Sequence, residues 1–255
     1  MKIRELYEQL NRIIPRSLSC EWDNDGLMCC PDPDREVKKA LFCLDVSDGA
    51  VELAIKEGFD VIVSHHPMIF RGIKALVDDN GVNGKTIRLI KAGISVMSFH
   101  TRFDAVDGGV NDTLAALFGL RNVTKLECEG IELGRVGYLN AETSLEEFAS
   151  AVKEKLCAPR VSYGKCTDKV HKVAIVGGGG GDFVRAAANA GADTFLSGDI
   201  GYHTVSDAHA LGINLVEAGH YYTEQPSCAS LAEIVLRIDP SIETKVIESN
   251  TIFCI

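Results

Sequence analysis

Lys56-Glu57-Gly58-Phe59-Asp60-Val61-Ile62-Val63-Ser64-His65-His66 reads as the end of a helix, a glycine, a short apolar strand and then two imidazoles. The same order recurs in KAGISVMSFH (91–100), NAGADTFLSGD (189–199) and ALGINLVEAGH (210–220). In each copy the glycine (Gly58, Gly93, Gly191, Gly212) suits the left-handed position that ends a helix. The Val, Ile, Leu and Phe that follow are those of a buried strand. A chemically active residue comes seven positions after the glycine at His65 and His100, and eight after it at Asp199 and His220. This is the helix-to-strand wiring of an α/β protein, and it puts four polar clusters at strand carboxyl ends, where open α/β sheets form their sites.

Outward from these copies, further strands are expected at Val37–Val46, Glu132–Leu139 and His171–Val176. Helices are expected at 47–58, 83–93, 110–119 and 144–156, the last capped by Thr143 or Ser144 with Glu146 and Glu147 in its first turn. The first fifteen residues read as an amphipathic helix stopped by Pro15 and not as a signal peptide. The least regular segment, Lys125 to Gly130, is the expected crossing between two lobes. The first lobe is then 1–126 with 215–255, and the second is 127–214.

With 46% hydrophobic and 24% charged residues, the chain has the composition of a folded protein. No apolar run approaches the ~18 residues of a membrane span, so a cytoplasmic protein with no membrane partner is expected. The nine cysteines are odd in number and include no C-x-x-C, which argues against a disulfide framework or a thiolate zinc site. They read mostly as small buried hydrophobes. A net charge of −10 without a basic block argues against a general grip on nucleic acid, though not against a local basic patch.

Three stretches carry chemistry. In Ser64-His65-His66-Pro67, two adjacent imidazoles sit where a strand ends, and Pro67 forces an extended departure that lets both turn into one cleft. His100-Thr101-Arg102-Phe103-Asp104 combines imidazole and carboxylate, a donor set for zinc, iron or manganese. Asp107 and Asp112 read as turn and capping residues, while Asp104 is open to either reading. In Gly219-His220-Tyr221-Tyr222-Thr223-Glu224-Gln225-Pro226, Thr223 is the expected N-cap of a helix opened by Pro226, with Glu224 at its start and His220 on the loop before it. Together His65, His66, Asp104, His220 and Glu224 exceed what one tetrahedral site needs. They suit two metals ~3.5–4 Å apart sharing a carboxylate, with His100 and His203 nearby. Five of the seven histidines thus fall on or beside the candidate site, all but His171 and His209.

Two other clusters read more blandly. Gly177–Gly181 follows a strand and precedes a helix but lacks the Lys-Ser/Thr of a Walker-type loop, so it reads as tight turning before it reads as a phosphate cradle. Glu21-Trp22-Asp23-Asn24-Asp25-Gly26-Leu27 reads as a buried Trp22 beside an Asx-type turn.

In order, EWDNDGL (21–27), LDVS (44–47), SHHP (64–67), HTRFD with GGVND (100–112), SGDIGYH (197–203) and GHYYTE (219–224) resemble the Nif-three-like dinuclear-metal-centre proteins, also called GTP cyclohydrolase 1 type 2 homologues. The resemblance runs nearly end to end. It implies two α/β lobes with central sheets flanked by helices, a C-terminal segment that returns to the first lobe, and a ring-shaped homohexamer. It also implies that His65, His66, Asp104, His220 and Glu224 bind two divalent ions. The chain departs from the family in having no serine within Gly177–Gly181 and no room for the domain inserted in longer relatives.

The expected function is a metal-dependent hydrolase. Glu224 bridges the ions, His100 and His203 act beside them as acid–base groups, and Asp199 orients His203. The resemblance implies GTP as substrate, with other nucleotides and phosphoesters as the wider class. The alternative is a non-catalytic metal-carrying ring that scaffolds, stores metal, or binds a protein or nucleic acid. A nucleotide-binding module built on the glycine loop ranks last.

Overall fold

A computed structural model describes residues 1–252. The chain groups into two compact units, Met1–Val106 with Cys228–Thr251, and Asp107–Ser227. The first contains α1 (Ile3–Ile13), β1 (Gly26–Cys29), β2 (Lys39–Cys43), α2 (Asp48–Glu57), β3 (Val61–Ser64), α3 (Val82–Ala92), β4 (Ser95–Ser98) and α4 (Thr101–Ala105). The second contains α5 (Val110–Leu117), β5 (Arg121–Cys128), β6 (Ile131–Ser144), α6 (Leu145–Lys155), β7 (Ser162–Gly164), β8 (Lys169–Val176), α7 (Val184–Asn189), β9 (Thr194–Ser197), α8 (Tyr202–Ala210), β10 (Asn214–Glu217) and α9 (His220–Glu224). The chain then returns to the first unit through α10 (Pro226–Ile238) and β11 (Glu243–Val246).

In the first unit the strand order is β1-β4-β3-β2-β11. Four strands are parallel and β1 runs antiparallel on the edge. In the second it is β5-β6-β8-β9-β10-β7, with β8, β9 and β10 parallel and the others antiparallel. Helices supply the apolar faces that cover the sheets. Val51, Ala54 and Leu89 join Leu41, Ile62 and Val96 in one core, and Leu114, Phe148 and Val152 join Val173, Leu196 and Val216 in another. Among the described residues no helix is long and apolar enough to cross a membrane.

The four-fold sequence pattern becomes two pairs of neighbouring parallel strands, β3 with β4 and β9 with β10. All four helix-ending glycines adopt left-handed φ of 70–74°. The duplication extends to an aspartate two residues after the glycine in one copy of each pair. Asp60 accepts the backbone N–H groups of Lys38 and Lys39 at 2.8 and 3.0 Å. Asp193 accepts those of His171 and Lys172 at 3.0 and 2.8 Å. Both lock the start of one strand to the start of the next, which sets the register at the far end where the functional side chains lie. Local signals behave as expected elsewhere. Ser47 caps α2 through a 3.2 Å bond from Ala50 N, and Ser144 with Glu147 forms a capping box on α6.

The expected lobe boundaries shift. The chain leaves the first unit at Val106–Asp107 and returns at Ser227–Cys228, not at 126 and 215, and 253–255 lie outside the described residues. Lys125–Gly130 is no crossing, because β5 and β6 form a hairpin with Cys128 paired to Ile131, and their sheet holds the segment in the second unit. β10 likewise belongs to the second sheet through β9. The eight described cysteines are free thiols, but only Cys29, Cys43 and Cys228 are buried, fewer than their apolar character suggested.

Candidate metal centre

In the first unit the site grows from the ends of β3 and β4. Ser64 Oγ donates to His66 O at 2.8 Å and pairs with Ser98 Oγ at 2.8 Å, so the departing chain is held against its neighbour strand. His65 and His66 both turn to one side, their ring centroids 5.1 Å apart, and His100 joins them at 5.3 and 5.6 Å. One ring nitrogen from each of the three lies within 4.8 Å of the others. Asp104, buried on α4, brings Oδ1 to 3.7 Å from His65 Nε2. That answers the open question about Asp104: it faces the imidazole cluster and is not a turn residue.

Each ring is held through Nδ1. His65 Nδ1 lies 2.9 Å from Phe99 O, His66 Nδ1 is 2.8 Å from Asp45 Oδ1, and His100 Nδ1 is 2.9 Å from Asp23 Oδ1. A carbonyl or an ionised carboxylate can only accept, so Nδ1 carries a proton in each ring, and Nε2 is the nitrogen that offers a lone pair whenever the ring is neutral. This arrangement fixes tautomer and ring orientation in metal-binding histidines. Asp23 also accepts Thr101 N at 3.1 Å and Thr101 Oγ1 at 2.6 Å. Burial pushes the Asp23 carboxyl up, but the bonds from His100 and Thr101 and the charge of His100 outweigh it and hold the group down at about 2. Behind it, fully buried Arg102 donates through Nε to Asp25 Oδ2 at 2.8 Å and through Nη1 to Asn11 Oδ1 at 2.6 Å.

In the second unit α9 carries His220 and Glu224 one turn apart, with His220 Nε2 3.0 Å from Glu224 Oε2. His220 Nδ1 is 2.8 Å from Asp199 Oδ2, the same arrangement again. The glycine loop passes directly under this pair. Gly178 has φ +64°, and a Cβ there would lie 2.0 Å from Glu224 Oε1 and 3.1 Å from His220 Nε2. Its carbonyl accepts Gly198 N and Asp199 N at 2.9 and 2.8 Å, and its N–H donates to Thr223 Oγ1 at 3.0 Å. The loop's tight turning thus brings backbone against the donor pair, which only a residue without a side chain permits.

Several expectations change. Thr223 is not an N-cap: His220–Glu224 is itself helical, and the Thr223 hydroxyl bonds back to His220 O at 2.9 Å while Pro226 opens α10. Asp199 orients His220 rather than His203. His203 is exposed at the head of α8, its ring edge-on to Tyr202. Trp22 is not buried but 60% exposed, because Asp23 and Asp25, not the indole, turn inward. Asp112 does more than turn the chain, since it holds buried Arg135 by two bonds of 2.7 and 3.0 Å. Sequence reasoning missed Asp23 and Asp45 as partners of histidines. Both lie at strand ends beside the histidine they hold, so the signal was the pairing of neighbouring strands.

Imidazole nitrogen with carboxylate oxygen, repeated in both units, is a donor set for divalent metal ions. The chain is also similar to known proteins along nearly its whole length. A family model described as Duf34/NIF3 (NGG1p interacting factor 3) matches residues 1–252. A Clostridium perfringens protein called GTP cyclohydrolase 1 type 2 homolog is 33% identical over 249 residues, 95% of each chain. Among solved structures, a hypothetical protein of Staphylococcus aureus aligns with a TM-score of 0.91 and 29% identity over 100% of this chain and 99% of that one. A Bacillus cereus protein related to NIF3 aligns with a TM-score of 0.92 at 24% identity, again over 100% and 99%. These neighbours have the same α/β fold, with central sheets flanked by helices.

Proposed function

Since the chain belongs to the Duf34/NIF3 family, we propose that it is a dinuclear-metal hydrolase whose two divalent ions are held by His65, His66 and Asp104 together with His220 and Glu224. The observation that carries this reading is that His65, His66, His100 and His220 each have Nδ1 against an oxygen acceptor at 2.8–2.9 Å, which fixes the orientation of each ring and makes Nε2 the nitrogen that would ligate a metal ion. A structural histidine needs no such uniformity. Glu224, held by α9 against the Gly178 backbone, is the carboxylate that would be shared between the ions.

Divalent ions in this donor set supply Lewis-acid charge that polarises the bond under attack and acidifies water. The protein's own groups do the rest. His100 accepts a proton at Nε2, and the ionised Asp23 carboxylate on Nδ1 stabilises the resulting imidazolium. His203 is the second acid–base group, on the exposed start of α8. The name of the Clostridium relative makes GTP the first substrate to try, among nucleotides and phosphoesters. The active form is a homohexamer, which sedimentation of the purified protein checks.

Metal analysis tests the centre. Two ions per chain are expected, falling by at least one in His65→Ala and in Glu224→Ala; fewer than one ion in the unmodified protein, unchanged in both variants, defeats the reading. A screen of nucleotides and phosphoesters against metal-loaded protein tests the chemistry. Ions bound at full stoichiometry with no turnover would leave metal carriage as the function.

A further inference from the structure

Beside the histidine cluster, two large aromatic side chains stand in solvent. Trp22 is 60% and Phe70 46% exposed. Their rings meet edge to face at 6.2 Å, and each also faces the His100 ring, at 6.1 and 6.3 Å. The exposure is built and held. Asp23 ties the residue after Trp22 to His100 and Thr101, and Asn24 Nδ2 donates to Ile69 O at 2.5 Å, stapling the Trp22 turn to the Phe70 loop. A loop that pins an indole outward while Asp23 and Asp25, which follow it, turn inward forgoes apolar burial for that side chain. Next to Phe70 opens a cavity of about 530 Å³ lined by Met68, Phe70, Arg71, Ile73 and Lys74. Its two cations are exposed and sit among apolar walls.

We infer that Trp22 and Phe70 bind a planar heteroaromatic ring beside the metal centre, and that Arg71 and Lys74 receive the anionic group attached to it, so that the ligand is a mononucleotide-like molecule. The two aromatic faces suit a ring because every base has a π-face and stacking is tolerant of its identity. The cavity has the volume of a small-molecule site. Arg71 and Lys74 supply positive charge on the Phe70 side, which orients the ligand with its ring toward His100. This deepens the hydrolase reading and rests on it for what happens next, but ring binding itself requires no turnover.

Trp22 is the only tryptophan, so its fluorescence reports this corner alone. The experiment titrates metal-loaded and metal-stripped full-length protein with GMP, AMP, UMP and nicotinamide mononucleotide, with guanosine as the ring without phosphate and ribose 5-phosphate as the phosphate without a ring. Saturable change with at least one mononucleotide, weaker binding of its nucleoside and no change with ribose 5-phosphate are expected. By calorimetry, Trp22→Ala and Phe70→Ala should each weaken that mononucleotide about tenfold, and Trp22→Phe should restore most of it. Arg71→Ala with Lys74→Ala should erase the advantage of nucleotide over nucleoside. No saturable response to any ringed ligand overturns the inference. So does unchanged affinity in Trp22→Ala, or an altered oligomeric state in that variant with affinity unchanged, which would assign the aromatic face to a second copy of the chain. Metal content measured on the same samples separates a failure of the metal centre from a failure of the ring site.

Discussion

The first unit runs β2-α2-β3-α3-β4 and the second β8-α7-β9-α8-β10, with the same left-handed glycines and the same register-locking aspartates, Asp60 and Asp193. Their strand ends nevertheless carry different contents. The first crowds three imidazoles and a buried carboxylate together by side-chain packing, with the Arg102–Asp25 ion pair behind them. The second has a single imidazole and a single carboxylate on α9, and shapes their surroundings with backbone, through Gly178 and Gly198. One wiring scheme can thus present donor atoms either by adding side chains or by removing them so that main chain comes close.

The largest effect should come from the ion pairs of two buried arginines, Arg102 in the first unit and Arg135 in the second. Asp25→Ala leaves Arg102 charged in a site where both partners are 0–1% exposed, and should cost about 3–5 kcal/mol in urea unfolding. Asp112→Ala should cost about 1–3 kcal/mol, because the Asp112 side chain is 28% exposed and water can replace it at Arg135. Equal losses would mean that burial does not distinguish the two units.

Next come the duplicated aspartates. Asp60→Ala removes the acceptor of two backbone N–H groups and of the Arg35 guanidinium, for an expected loss of about 2–4 kcal/mol. Asp193→Ala, with two backbone donors and the neighbouring Thr194 hydroxyl, should lose about 1–3 kcal/mol. A reversed order in thermal or urea melts would break the correspondence between the units.

The role of main chain in the second unit is tested by a neighbouring pair. Gly178→Ala should weaken divalent-ion binding by about tenfold or more, since its Cβ would press on Glu224 and the left-handed φ strains any side chain. Gly179→Ala, whose Cβ meets nothing within 4 Å, should bind like the unmodified protein in a competition titration. If both bind normally, the loop is not what positions Glu224.

The smallest effect concerns pH and the first unit. Asp23 is lowered from an ordinary 3.8 to about 2, so its ionised form contributes stability that is complete above about pH 4 and disappears as pH falls toward 2. Asp23→Asn should therefore be less stable than the unmodified protein at pH 6, by no more than about 2 kcal/mol. The gap should close as acid is added. A gap independent of pH in metal-stripped protein would show that the charge of Asp23 is not what stabilises this corner.

Much of the architecture was legible because it is local. A left-handed glycine, a run of β-branched residues and a polar cluster are each decided within about ten residues, so the four strand ends and the placing of His65, His66 and His220 beside them could be read directly. The capping box at Ser144 and Glu147 and the helix α2 capped by Ser47 are local in the same sense. Lys125–Gly130 misled because a hairpin of charged and polar residues looks like a linker until its pairing partner is known. Trp22 misled because burial is inferred from residue type, whereas here its neighbours Asp23 and Asp25 have the stronger claim to the interior through His100, Thr101 and Arg102.

By itself, then, the sequence determined the α/β class, the helix-to-strand joints and the residue types able to bind metal, since these follow from backbone preference and side-chain chemistry. Tertiary structure decided which acceptor holds which imidazole. β2 pairs with β3 so that Cys43 lies opposite Ser64, and two residues on Asp45 meets His66. β1 pairs with β4 so that Gly26 lies opposite Ser98, and Asp23 reaches His100. β9 pairs with β10 so that Ser197 lies opposite Glu217, and Asp199 reaches His220. These partners are 21 to 77 residues apart in the chain. Only the strand order and register bring them within hydrogen-bond reach, because a 2.8 Å bond depends on position in the sheet and not on distance along the sequence.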